Sequence, residues 1–129
     1  MRAEPCISIL GLGLMGASLA LALRKRGYGG RLAAYARKAD TRREALERGI
    51  VDAAYDQPAA AAEEAGLVVL CAPIRACADL AVEIAPALNS GALVTDVGST
   101  KGWICRQMAE RLPAGTFVGS HPIAGSEKQ

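Results

Sequence analysis

One histidine in 129 residues, four cysteines without a C-x-x-C pair and a net charge of only +2 limit what this chain can be. Cys6, Cys71, Cys77 and Cys105 are widely spaced and have only His121 to help them hold an ion, so no metal site is expected. They read as free thiols of a cytoplasmic protein. The small net charge offers nucleic acid no basic footprint, and with half of the residues apolar the composition is not that of a disordered chain. There is no repeat of fixed period and no interdomain linker. The length fits a single domain, which can bury about two thirds of its unfolded surface.

Charge is also missing from Pro5 to Leu23, and Arg24, Lys25 and Arg26 follow. That pattern resembles a signal sequence or a short membrane span. The stretch contains Gly11, Gly13 and Gly16, however, and its basic cluster comes after the apolar run, where a secretory segment would place it before. No membrane insertion is expected.

What is present is an alternation of strands and helices. Residues 6–10 (CISIL) form a short apolar run that breaks at Gly11 into about three turns of apolar helix ending near Leu23. Residues 31–35 (RLAAY) are a second strand, a polar helix runs from Asp40 to Arg48 and stops at Gly49, and residues 50–55 are a short third strand. Residues 57–65 are either a short surface helix or a loop. Residues 67–71 (LVVLC) read as a parallel strand buried on both faces and stopped by Pro73. A helix over residues 76–88, a strand over 92–96, a helix over 100–112 and a last strand over 116–119 complete the pattern. The expected fold is α/β: a Rossmann-type, doubly wound parallel sheet with helices on both faces.

Gly11, Gly13 and Gly16 satisfy G-x-G-x-x-G directly after the first strand and at the start of the first helix. In that context Gly11-Leu12-Gly13-Leu14-Met15-Gly16 is a candidate dinucleotide pyrophosphate loop. The first glycine permits the turn, the second admits the pyrophosphate, and the third brings helix and strand together. The alternative is a merely structural βα turn. Cofactor choice depends on the end of the second strand, where NAD binders place an acid on the ribose 2′-hydroxyl. Ala36 stands there, followed by Arg37 and Lys38, and Asp40 falls late enough to cap the next helix. A charge-assisted bond from Arg37 to a 2′-phosphate is worth about 1.5–3 kcal/mol, so NADP is expected over NAD. The other reading of Arg37, Lys38, Arg42 and Arg43 is a solvated basic face.

Ligands of open parallel sheets bind beyond the carboxyl ends of the strands. Cys71, Ala72 and Pro73, then residues 98–101 (GSTK), then residues 121–127 should converge there around the nicotinamide end of the cofactor, with Cys71, Ala72, Pro73 and Ser99 as candidate cofactor contacts. Removing hydride from a hydroxyl-bearing substrate requires a base, and neutral imidazole serves near pH 7. His121 is the only imidazole; its alternative role is a loop histidine bonded to backbone. Ser99 would orient His121 or the hydroxyl, or cap the following helix, and Ser126 has the same capping alternative. Lys101 would attract an acidic substrate or pair with Asp96. Cys71 also suits packing, and Trp103 suits core or interface.

Together, GLGLMGASLA (residues 11–20), LCAPI (70–74), DVGSTKG (96–102) and GSHPIAGSEK (119–128) resemble the prephenate and arogenate dehydrogenases of tyrosine biosynthesis. The resemblance implies oxidative decarboxylation of prephenate or arogenate with hydride passing to the nicotinamide. It assigns His121 as acceptor of the ring-hydroxyl proton, Ser99 as its assistant, and Ser126 and Glu127 as the border of the substrate site. Ala36 followed by Arg37 looks like the NADP type, within a family that uses both NADP and NAD. Such enzymes continue into a helical domain that forms the homodimer and supplies basic groups for the substrate carboxylates. This chain stops at Gln129, so the expectation is a fragment, residues 1–129, that binds cofactor without turnover. A non-catalytic dinucleotide-binding module and a Rossmann dehydrogenase of a β-hydroxy acid are the other readings.

Overall fold

A computed structural model describes residues 4–97 and 101–119. Five strands, β1 (Ile7–Leu10), β2 (Leu32–Tyr35), β3 (Ala53–Tyr55), β4 (Leu67–Leu70) and β5 (Leu93–Asp96), form one parallel sheet in the order β3-β2-β1-β4-β5. The connections carry α1 (Leu14–Lys25), α2 (Ala39–Glu47), α3 (Pro58–Ala62) and α4 (Ile74–Ile84), and α5 (Lys101–Arg111) follows β5. Leu10 pairs with Tyr35 on one side and Leu70 on the other, while Tyr35 pairs with Tyr55 and Leu70 with Asp96. These five residues make a row along the carboxyl edge of the sheet. The strand order reverses between β1 and β4, and in open α/β sheets that is where ligands bind.

The core follows from strand alternation. Ile7, Ile9, Leu32, Ala34 and Val69 face α1 and α2, meeting Ala20 and Ala45. Leu10, Val68, Leu70 and Val94 face the other way, onto Ala61, Ala62, Leu80, Ile84, Ile104 and Met108 of α3, α4 and α5. Each fully buried large apolar side chain contributes about 1.5–3 kcal/mol relative to exposure, so both faces of the sheet are needed. Trp103 packs against the second of these layers. Ser8 is the polar interruption of β1. It is buried, and its hydroxyl donates to the Ala61 carbonyl, tying α3 across the sheet.

Several expectations change in detail. Residues 57–65 contain a five-residue helix that starts on Pro58, where a missing N–H costs nothing. The fourth helix ends at Ile84 rather than Leu88, because Pro86 cannot continue the ladder and Ala85–Ala87 tighten into a 3₁₀ turn. Asp40 does not cap α2: Lys38 holds the cap position without a side-chain bond, and Asp40 pairs with Arg43 at 2.6 Å in the first turn. The last strand is reduced to one parallel bridge, Val94 with Phe117, supported by Val94 N–H to Thr116 and Val118 N–H to Val94, both 2.9 Å. It occupies the sixth place, beside β5. The uncharged run Pro5–Leu23 divides into β1, the glycine turn and most of α1. No helix among the described residues is long and apolar enough to cross a membrane.

Candidate functional site: a cleft at the carboxyl edge

At Gly11 the chain leaves β1 with φ +113°, a conformation that side chains disfavour, and its N–H donates to Tyr35 at 2.9 Å. A Cβ on Gly11 would stand 2.8 Å from the Cys71 carbonyl oxygen, so β1 and β4 can diverge here only around a glycine. Gly16 is buried, and a Cβ there would overlap the Gly11 carbonyl. Gly13 differs: it caps α1, and nothing lies within 4 Å of where its Cβ would be. Among the described residues no side chain caps α1 and no acid sits in its first turn, so the N–H groups at its start are open to another acceptor.

The second wall is the end of β2. Ala36 is buried and its N–H donates to Tyr55 at 3.2 Å, which leaves Arg37 and Lys38 exposed at the cleft. The four basic residues of this region do not form one solvated face. Arg42 donates from Nη1 to the carbonyls of Ala36 (2.7 Å) and Arg37 (2.9 Å), and Arg43 pairs with Asp40. The side chains of Arg37 and Lys38 have no hydrogen-bond or ion-pair partner among the described residues.

Cys71, Ala72 and Pro73 make the third wall. Cys71 N–H donates to Leu10 at 2.9 Å, and Pro73 stands at the cap of α4. Burial pushes the Cys71 thiol up to about 11, with Cys77 and Asp96 adding to it, so it stays protonated at neutral pH. Cys77 is buried and its thiol lies 3.4 Å from the Ala72 carbonyl. The three walls enclose a cleft of about 640 Å³, within the ~300–1,000 Å³ of small-molecule sites.

Of the expected cofactor residues, Gly11, Leu12, Gly13, Arg37, Lys38, Cys71, Ala72 and Pro73 line this cleft. Gly16 acts from beneath it. Leu14 and Met15 do not line it; they are exposed on the first turn of α1, with 86% and 51% of their surfaces open. His121, Ser99, Ser126 and Glu127 lie outside the described residues, as does the side chain of Lys101. Asp96, at the end of β5, is buried. No group of three or more candidate metal ligands occurs among the described residues.

Sequence reasoning missed Tyr35 and Thr41 and one face of α4: Ala76, Asp79, Leu80 and Glu83. Their spacing of three, four and seven along a helix that begins at a ligand loop was the available signal. The cleft therefore carries two exposed carboxylates as well as two exposed cations.

A parallel sheet reversing at β1 and β4, with a glycine turn, a basic second-strand end and an open helix start around one cleft, defines a Rossmann-type nucleotide-binding domain. The match of residues 19–129 to the family described as prephenate dehydrogenase, nucleotide-binding domain, extends this to a particular family. The chain belongs to the prephenate dehydrogenase family. The glycine turn lies outside that matched span, and its assignment comes from its geometry. A prephenate dehydrogenase from Lactococcus lactis subsp. cremoris is 38% identical over 126 residues, 95% of this chain and 35% of that protein. A crystal structure of prephenate dehydrogenase from A. aeolicus, in complex with hydroxyphenyl propionate and NAD+, superposes with a TM-score of 0.87 at 33% identity, covering 98% of this chain and 44% of that one. A Synechocystis arogenate dehydrogenase structure gives 0.83 at 36% identity, covering 95% and 42%. The chain thus spans between about a third and somewhat under half of the length of these relatives.

Proposed function

We propose that this chain is the dinucleotide-binding domain of an NADP-dependent dehydrogenase that oxidatively decarboxylates prephenate or arogenate, in the cytoplasmic route to tyrosine. The observation that carries the reading is the cleft itself, in which a glycine turn with open space at Gly13, the uncapped start of α1 and the exposed side chains of Arg37 and Lys38 converge. Those features fit a dinucleotide: the pyrophosphate against Gly11–Gly13 and the N–H groups of α1, and the 2′-phosphate against Arg37 and Lys38. Two relatives, a prephenate dehydrogenase in complex with NAD+ and an arogenate dehydrogenase, support the reaction class, and the preference for NADP rests on Arg37.

When bound, the nicotinamide supplies the hydride acceptor. His121 takes the proton of the ring hydroxyl as hydride leaves the ring carbon, and loss of carbon dioxide aromatises the ring and draws the step forward. Ser99 orients His121, while Ser126 and Glu127 border the substrate. In this reading residues 1–129 are one cofactor-binding unit, and a helical domain of the kind typical of the family completes the substrate pocket and the homodimer. The test is titration with both cofactors, together with His121→Ala in a full-length protein. Expected are tighter NADP than NAD binding and a turnover loss of roughly 10²–10⁴ with unchanged cofactor affinity. Tighter NAD binding removes the cofactor assignment, and unchanged turnover removes the role of His121.

A further inference from the structure

Arg42 lies in the first half of α2 and is half-buried. Its Nη1 donates to the Ala36 carbonyl at 2.7 Å and the Arg37 carbonyl at 2.9 Å. One guanidinium nitrogen carries two N–H bonds, so these two acceptors use both of them. The segment so gripped is short. Ala36 is held from β3 by its N–H to Tyr55, and the Lys38 carbonyl is held by the Arg42 N–H at 3.1 Å. Arg37 lies between these anchors, and its carbonyl is held by the Arg42 side chain. Both exposed cations of the cleft are therefore carried on a segment whose direction Arg42 sets from the helix behind it.

We propose that Arg42 is a positioning residue for cofactor selectivity: by holding the carbonyls of Ala36 and Arg37 it turns the side chains of Arg37 and Lys38 into the cleft, toward a 2′-phosphorylated ribose. The inference rests on the NADP reading above. A cation aimed at one phosphate acts on NADP and not on NAD, whereas the remainder of the two cofactors is the same. Loosening the segment should weaken the first and spare the second. Arg42 itself does not line the cleft, and its Nη1 is committed to main chain.

The experiment compares NADP and NAD affinities by calorimetric titration of the wild-type chain, Arg42→Ala, Arg42→Met and Arg42→Lys. Arg42→Met keeps a long unbranched side chain without the guanidinium, and it reads the same ratio should Arg42→Ala not fold. In the wild type NADP is expected to bind roughly 10- to 100-fold tighter, the range of a charge-assisted contact. In Arg42→Ala and Arg42→Met that preference falls to within about threefold while NAD affinity stays within about threefold. Arg42→Lys, whose ammonium can still donate to a carbonyl, recovers most of the preference. An unchanged NADP to NAD ratio in Arg42→Met, with both cofactors weakened alike or neither affected, overturns the role of Arg42 and leaves the NADP reading standing. A wild-type chain that binds NAD more tightly overturns the NADP reading, and this inference with it.

Discussion

Gly16 stands so close to the carbonyl of Gly11 that any side chain on residue 16 would overlap it, whereas Gly13, between them in the turn, faces open space. The two positions should therefore separate folding from binding. Gly16→Ala pushes α1 away from the end of β1 and is expected to lower stability by at least about 1–3 kcal/mol, the range of overpacking. Gly13→Ala meets no atom of the described residues, so its cost should stay within about 1 kcal/mol, the scale of a weakened helix cap. The same methyl would occupy the approach to the pyrophosphate, so cofactor affinity should fall at least about tenfold. Urea denaturation and cofactor titration of both variants check the pair. A Gly13→Ala protein with full affinity would move the pyrophosphate elsewhere.

Arg37→Ala should cost NADP about one to two orders of magnitude in affinity and change NAD by less than about threefold, since only NADP carries a 2′-phosphate for a charge-assisted bond. Because Arg37 is exposed, the loss should be larger at low ionic strength than at 0.5 M salt. Equal losses for both cofactors would place Arg37 against the shared pyrophosphate instead.

Asp79 and Glu83 put negative charge on the cleft wall that would face a polyanionic ligand. A unit charge about 8 Å away in solvent contributes on the order of 0.5 kcal/mol. Asp79→Asn combined with Glu83→Gln is therefore expected to tighten NADP binding by a factor of about two to five, with the gain shrinking as salt is added. Weaker binding in the double variant would show that a carboxylate holds the ligand directly.

Cys71 should be a poor nucleophile despite lining the cleft. With its thiol at about 11, only about one molecule in a thousand is thiolate at pH 8. Exposed Cys105 should be alkylated first, and Cys71 labelling should rise about tenfold per pH unit up to pH 10 and slow further when cofactor is added. The sign of the linked stability follows. A folded-state thiol raised from 9.0 to about 11 contributes stability that is present below pH 9 and lost as pH climbs toward 11. Mass spectrometry of alkylated peptides across pH 7–10 measures the first effect, and thermal unfolding across pH 8–11 the second.

The segments that line the cleft were unevenly legible. The glycine turn and Cys71–Pro73 could be read because both follow short apolar strands that end in turn residues, and a parallel sheet places such ends on one edge. Arg37 could be read from its distance beyond the turn. Arg42 could not be told from its basic neighbours, because its partners are main-chain carbonyls, which leave no trace in side-chain spacing. Asp40 stands two positions past the cap of α2 and so lies in its first turn, because the backbone, not the residue type, decides where a helix starts.

The alternation of strand and helix, and hence a parallel α/β sheet, follows from local pattern alone, since apolar periodicity and turn residues act over a few neighbours. Only the tertiary structure decided that Arg37 and Lys38 would share a cleft with Asp79 and Glu83, and that Gly13 would face space while Gly16 faced a carbonyl. Those relationships join residues from separate connections, and they depend on how the helices dock against the two faces of the sheet. That docking is a property of the packed layers, which no single segment encodes.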